Sequence, residues 1–365
     1  MITLRNVSKQ FPGSGAYAVR GFSLEIAEGE TVVLVGPSGS GKTTILRMIN
    51  RLIEPTSGTI EVDGVDVMSI EPVELRRRMG YVIQSIGLMP HRTVAQNIGM
   101  VCELVGWPAE RIRARVAELA AMLELDPELL ERYPSELSGG QRQRVGVARA
   151  LGVDPPAMLM DEPFGAVDPI VRARLQDQLL NLQSQIRKTI VLVTHDIDEA
   201  MKLGDRIAII NRGGVLEQYA SPEEILRAPA SPFVGDFIGA ERGLKRLGLM
   251  AVKSVDTEAG PLVNPEAEVS AALEVMRSHG TDWVAVVDAE HLLGWVDAKG
   301  LSGHATVGEV EPRPFSAVVS PTSSLREALD AIVINKTHVA AVVDDGRYCG
   351  LLTLERVAQE LTAAS

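Results

Sequence analysis

The segment Gly36-Pro37-Ser38-Gly39-Ser40-Gly41-Lys42-Thr43, followed by Thr44, has the residue types and spacing of a phosphate-binding loop. Its glycines let the backbone turn tightly, so that N–H groups converge on phosphate oxygens at a helix N-terminus. Lys42 is placed to reach the β- and γ-phosphates, and the Thr43 hydroxyl to bind Mg²⁺. A second run, Met158-Leu159-Met160-Asp161-Glu162, is apolar and ends in two carboxylates. In a fold built on a phosphate loop the first carboxylate orders Mg²⁺ and the second polarises the attacking water. A third segment, Leu137-Ser138-Gly139-Gly140-Gln141, precedes a helix predicted over Gln141–Leu151. Small residues at a helix N-terminus present N–H groups, and with the Ser138 hydroxyl they form a second anion site. These groups suit a polyphosphate bound with Mg²⁺ and attack of water on its terminal phosphate.

Positioning such groups requires a sheet. Short runs apolar on both faces, as in a sheet covered by helices, occur at Thr31–Val35, Tyr81–Ile83, Ala157–Met160, Ile190–Thr194 and Arg206–Ile210. The phosphate loop lies between the first of these and a helix opening near Lys42. Ile2–Val7, Phe22–Ile26 and Thr59–Val62 read as a small antiparallel layer. No strand is expected between Gln84 and Gly139, where Ile112, Val116, Leu119 and Leu123 give a helix over Glu110–Leu125. The reading is an α/β domain over 1–240 with a helical subdomain at about 85–155.

Beyond Ala240 the chain repeats itself. Ala272-Leu273 falls on Ala328-Leu329, Val286-Val287-Asp288 on Val342-Val343-Asp344, and Gly294 on Gly350. Two copies are expected, over 241–310 and 311–365, each reading helix, strand, turn, strand, helix. Units this small bury their faces against each other. The 365 residues carry a net charge of −12, which argues against a nucleic-acid partner. The tail accounts for −7 of it, with 11 basic and 18 acidic residues. Two cysteines far apart, Cys102 and Cys349, fit a reducing compartment and no metal framework. No signal-peptide pattern and no run long enough to span a bilayer is visible, so a cytosolic protein is expected.

The pentapeptide Leu137–Gln141, the phosphate loop and Asp161-Glu162 together resemble the ATP-binding cassette (ABC) family. The resemblance implies a P-loop NTPase fold with a RecA-like core, an antiparallel β layer and a helical subdomain. It also implies that Ser138, Gly139, Gly140 and Gln141 face the γ-phosphate bound to a second cassette, so that the site is complete only in a homodimer. By the same resemblance Gln84 is the Q-loop glutamine contacting Mg²⁺ and the attacking water, and His195 is the switch histidine that contacts the γ-phosphate and positions Glu162. Asp168 is the D-loop aspartate, although Gly165 departs from the serine more usual in the family. Phe11 sits where an aromatic ring stacks on adenine, with Tyr17 as the competing candidate.

Met48–Pro55, Glu74–Gln84, Met160–Ala166 and Phe233–Gly239 resemble the ATPases of quaternary-amine importers, which serve glycine betaine, choline or carnitine. The duplicated tail resembles their paired CBS modules, an α+β unit. This implies an ATPase on the cytoplasmic face of the inner membrane, working with integral-membrane permease subunits and an extracytoplasmic substrate-binding protein. An importer of another small solute and a soluble, non-transport ABC ATPase are the alternatives. Adenosine-binding CBS modules commonly end in Thr-x-x-Asp; the matching segments here, Asp297–Gly300 and Thr353–Arg356, lack the final aspartate. The tail's effector is left open between a nucleotide and ionic strength, the latter acting on an acidic tail bridged to an anionic membrane by Lys245 and Arg246.

Overall fold

The structure is a computed structural model describing residues 1–13, 15–83, 87–165, 167–239 and 241–362. It forms two compact units, Met1–Ile238 and Gly239–Ser365. In the first, the elements in chain order are β1 (Ile2–Gln10), β2 (Tyr17–Ile26), β3 (Thr31–Val35), α1 (Lys42–Ile49), β4 (Ser57–Val62), β5 (Val65–Asp66), α2 (Pro72–Arg77) and β6 (Gly80–Val82). Then come α3 (Val94–Leu104), α4 (Ala109–Met122), α5 (Gly139–Leu151), β7 (Ala157–Asp161), α6 (Pro169–Ile186), β8 (Thr189–Thr194) and α7 (Ile197–Leu203). The unit closes with β9 (Arg206–Asn211), β10 (Val215–Ala220), α8 (Pro222–Arg227) and α9 (Pro232–Ile238).

The central sheet runs β10-β9-β3-β8-β7-β6 and is parallel except for the edge pair β9–β10. Every residue of β3, β7 and β8 is buried. Successive side chains point to opposite faces, so one sheet divides two cores. Val33, Val35, Met158, Met160, Leu192 and Ile209 face the side that holds α3, α5 and α6. Val32, Leu34, Leu159, Val191, Val193 and Ala208 face α1 and the antiparallel sheet β2-β1-β4-β5. This is the α/β architecture expected. Among the described residues no strand lies between β6 and β7. The expected helix over 110–125 is α4, which stops at Met122 because Glu124 takes φ 52°, a left-handed turn that ends a helix. Strand β2 starts five residues before the expected Phe22, since Val19 and Tyr17 still pair with Lys9 and Gln10.

The second unit holds α10 (Arg242–Leu249), β11 (Leu262–Val263), α11 (Val269–His279), β12 (Trp283–Asp288), β13 (His291–Asp297), β14 (Val318–Val319), α12 (Leu325–Ile334), β15 (Val339–Asp344), β16 (Arg347–Thr353) and α13 (Leu354–Thr362). The two copies join in a single six-stranded sheet, β11-β12-β13-β16-β15-β14, mirrored about the β13–β16 pair. Both hairpins carry a register shift at the same place, between Val286 and Val287 and between Val342 and Val343. The cores are not divided as the chain is. Leu247 of α10, Val252 and Val255 pack with Leu325, Ile332, Val342 and Leu352 of the second copy. Arg246 donates to the Glu360 carbonyl at 3.0 Å, with its guanidinium 4.0 Å from the Glu360 carboxylate. That guanidinium is committed inside the tail, which removes half of the basic pair expected to bridge to a membrane.

Candidate functional site

The phosphate loop connects the C-terminal end of β3 to α1, whose first residue is Lys42. The tightness of the loop explains its glycines. A Cβ on Gly36 would lie 2.0 Å from the Ile210 carbonyl oxygen of β9, and one on Gly41, at φ 99°, would lie 2.6 Å from the Ala18 carbonyl. The Ser40 amide donates back to the Pro37 carbonyl at 3.2 Å, while Ser38 and Gly39 are exposed at the loop's outer edge. Lys42 is buried, its ammonium donating to the carbonyls of Gly36 at 2.7 Å and Pro37 at 3.0 Å. Burial pulls the Lys42 pKa down, opposed by the carboxylates of Glu162 and Asp161. The ammonium thus sits inside the loop, where a phosphate would add a charged partner to carbonyl ones.

Asp161 ends β7, which β8 separates from β3 in the sheet, and its side chain reaches the start of α1. Its Oδ1 accepts from the Thr43 hydroxyl at 2.9 Å, and Arg47 lies 3.9 Å from Oδ2. Burial pushes the Asp161 pKa up, partly countered by the Thr43 hydrogen bond and Arg47. A buried carboxylate beside a hydroxyl, both at the edge of a phosphate cradle, fits Mg²⁺. That ion binds through one or two protein oxygens and takes its other ligands from phosphates and water. Among the described residues no cluster of three His, Cys, Asp or Glu could hold a metal by itself.

Glu162 leaves the strand at φ 45° while its amide donates to the Val193 carbonyl at 2.9 Å. This turns the side chain toward His195, just past β8, whose Nδ1 lies 3.3 Å from Glu162 Oε2. The His195 side chain is 60% exposed, so its outer face is open to an incoming group. A small cavity joins Glu162 and His195 to Arg172, Asp196 and Glu199. Sequence reasoning had not singled out Arg172 or Glu199. Arg172 donates to the Val167 carbonyl at 3.3 Å and approaches Asp196 at 3.9 Å. Glu199 is buried and accepts from Gln176 at 3.1 Å, and burial raises its pKa. Both tie α6 to the turn carrying His195. No local motif marks them; only the packing of α6 on α7 does.

Ser138 and Asp168 serve as helix caps. Ser138 Oγ accepts from the Gln141 amide at 3.2 Å and Gln141 Oε1 from the Ser138 amide at 2.8 Å, closing a capping box on α5. Accepting that bond leaves the Ser138 hydroxyl proton available for an anion. Asp168 accepts from the Val171 amide at 3.0 Å and starts α6. The two segments touch: a Cβ on Gly140 would lie 2.9 Å from a methyl of Val171, and one on Gly139 3.9 Å from a methyl of Val167. Phe11 and Tyr17 flank the turn between β1 and β2, both exposed, with Lys9 over the first ring and Arg20 near the second. Gln84 lies outside the described residues.

The sequence matches known proteins along nearly its whole length, and solved structures match about three fifths of it. The family model described as "ABC transporter" matches residues 19–165, and the CBS domain model matches 252–303 and 307–363. The glycine betaine/carnitine/choline transport ATP-binding protein OpuCA of Bacillus subtilis is 45% identical, over 97% of this chain and 94% of its own. The osmoprotectant import ATP-binding protein OsmV of Salmonella typhimurium is 44% identical, over 100% and 97%. Among solved structures, a dimeric post-hydrolysis state of the ATP-binding cassette MJ0796 bound to ADP and Pi is 35% identical, with a TM-score of 0.55, over 61% of this chain and 99% of that one.

Proposed function

Since the chain belongs to the ATP-binding cassette family, in the branch of transport ATP-binding proteins with a CBS pair, we propose that it is the ATP-hydrolysing subunit of an importer of glycine betaine, choline or carnitine. The similarity over 97% of the chain to a relative named for those three solutes, with a second named for osmoprotectant import, carries this reading. The phosphate loop and Lys42 hold the triphosphate, and Phe11 or Tyr17 stacks on adenine. Thr43, Asp161 and Gln84 would hold Mg²⁺, which would neutralise phosphate charge as it develops. Glu162 accepts the proton of the attacking water, and His195 at 3.3 Å orients its carboxylate.

Two copies of the chain face each other, so that the N-terminus of α5 of one, with Ser138, Gly139, Gly140 and Gln141, meets the γ-phosphate on the loop of the other. A helix N-terminus carries about half a positive charge, which suits that role. Asp168 and Arg172, at the start of α6, connect this contact to His195. Closing and opening of the pair drives two permease subunits, and a substrate-binding protein outside the membrane delivers the solute. The subunit sits peripherally on the cytoplasmic face of the inner membrane, beside those permeases; among the described residues no helix is long and apolar enough to cross a membrane. The tail regulates. Asp297, at the end of β13, accepts from the Gly300 amide at 2.6 Å and faces Arg313 at 3.2 Å. This supports an effector other than a simple mononucleotide held by its ribose, and the tail's charge of −7 supports sensitivity to ionic strength.

The test is uptake of labelled glycine betaine, choline and carnitine by cells carrying the whole transporter, at low and high osmolarity. Native protein is compared with Glu162→Gln and with a truncation after Gly239. Uptake lost in Glu162→Gln, and released from osmotic control in the truncation, is expected. ATPase activity with no uptake of any of the three would overturn the solute assignment.

A further inference from the structure

We propose that the aromatic corner formed by Trp283, Trp295 and Phe315 in the tail is a binding subsite for a quaternary ammonium cation. The chain has 14 aromatic residues, and two of its three tryptophans meet here. Strand pairing sets Trp283 opposite Asp297 and Ala285 opposite Trp295, so the two indoles are diagonal neighbours on one face of the sheet. Val284 and Val296 take the other face and build the core of the first copy. Phe315, from the segment before β14, meets Trp283 edge to face, with ring centres 5.7 Å apart at 80°. Three rings thus wall a cleft of about 730 Å³ that also exposes Asp282, Ser316 and His338. None of the three rings is fully buried.

The electrostatics of the cleft select the ligand. Aromatic faces attract cations, most strongly when the cation sheds its water easily, as a quaternary ammonium does. Trp295 already carries one: the Arg313 guanidinium lies 5.2 Å from its ring centre. Asp282 is a carboxylate at the rim, and among the described residues no lysine or arginine lines the cleft. The Arg313 guanidinium over Trp295 is also paired with Asp297 at 3.2 Å. Phosphate groups would therefore find few cationic partners on this wall, whereas a trimethylammonium head finds rings and a carboxylate. The cleft exceeds one such head, which occupies the corner and leaves room for its substituent.

The duplication shows which copy carries the rings. At the positions equivalent to Trp283 and Trp295 the second copy has Val339, which lines the same cleft, and Leu351. Leu351 is 3% exposed, and a Cβ on Gly260 would lie 2.4 Å from its methyl. Trp283 and Trp295 stay partly exposed, so the aromatic wall comes from the first copy and the segment before β14. Binding there would let the tail report the solute accumulated by transport. That regulatory sense rests on the function proposed above; the binding itself does not.

Tryptophan emission of the full chain, at constant ionic strength, tests the site with choline, glycine betaine, AMP and 3,3-dimethylbutan-1-ol, the neutral isostere of choline. Choline is expected to give a saturable change, with the neutral isostere at least about tenfold weaker. Glycine betaine, whose carboxylate meets Asp282, should bind more weakly than choline. Trp283→Leu should abolish the change and Trp107→Phe should leave it. Asp282→Asn, an exposed substitution that keeps the fold if Trp283→Leu does not, should weaken choline about threefold to tenfold and betaine less. Equal binding of choline and its neutral isostere would overturn the proposal, as would saturation by AMP with no response to choline. Binding without uptake of these solutes would count against the transport assignment alone, and uptake without binding against this subsite alone.

Discussion

The two sheets of this protein bury their strands differently. In the cassette, β3, β7 and β8 are buried from end to end, because helices cover both faces. In the tail, β12 and β15 share one pattern, three buried residues between half-exposed or exposed ends. A sheet covered on both sides can place chemistry only at its strand ends, and there Asp161, Glu162 and His195 stand. A sheet with one face partly open can place a site on the face itself, where Trp283 and Trp295 stand. The first arrangement fixes a catalytic geometry and the second leaves a surface free to vary between two copies of one motif.

The comparison is sharpened most by Glu162→Gln, which removes the group proposed to take the proton and should lower ATP turnover about 10²- to 10⁴-fold. ATP binding and tail ligand binding should persist; steady-state turnover with nucleotide binding measured in parallel checks this. Next in size is a pair of truncations. Leu192→Ala, inside the doubly covered sheet, should cost about 2–5 kcal/mol. Leu293→Ala, on the tail sheet and 48% exposed, should stay within about 0.5 kcal/mol. Denaturant unfolding measures both, and similar losses would erase the distinction between the sheets. Ser138→Ala removes the α5 cap and should cost about 1 kcal/mol while lowering turnover with little change in nucleotide binding by the monomer.

The smallest effect concerns Glu199. Burial raises its pKa above the ordinary carboxylate value, so its ionised form opposes folding at neutral pH, and that opposition fades as pH falls through the raised pKa. Glu199→Gln keeps the shape and the bond from Gln176. It should raise the melting temperature at pH 7, by an amount that shrinks toward acid pH. A gain independent of pH would mean the carboxyl is not the cause.

Much of this was legible in the sequence because it is local. The phosphate loop declares itself through glycines that the backbone demands, and the five central strands through runs apolar on both faces. The edge strands β5 and β10 went unread: Val65–Asp66 is two residues long, and Val215–Ala220 mixes polar with apolar residues on an edge where burial is partial. Arg172, Gln176 and Glu199 were also missed, since their roles come from two helices packed together.

By itself, then, the sequence determined the loop that cradles phosphate, the capped helix that follows Ser138, the two-faced strands and the duplication of the tail. The first three depend on residue type and on periods of two to four residues, which act over short stretches of backbone; the duplication shows as the tail matching itself, as Asp288 does Asp344. The tertiary structure alone decided that Glu162 and His195 lie 3.3 Å apart, that Gly36 must be bare beneath Ile210, and that three rings from separate segments share one corner. Those facts follow from which strands pair and in what register, and neither is written in any single segment.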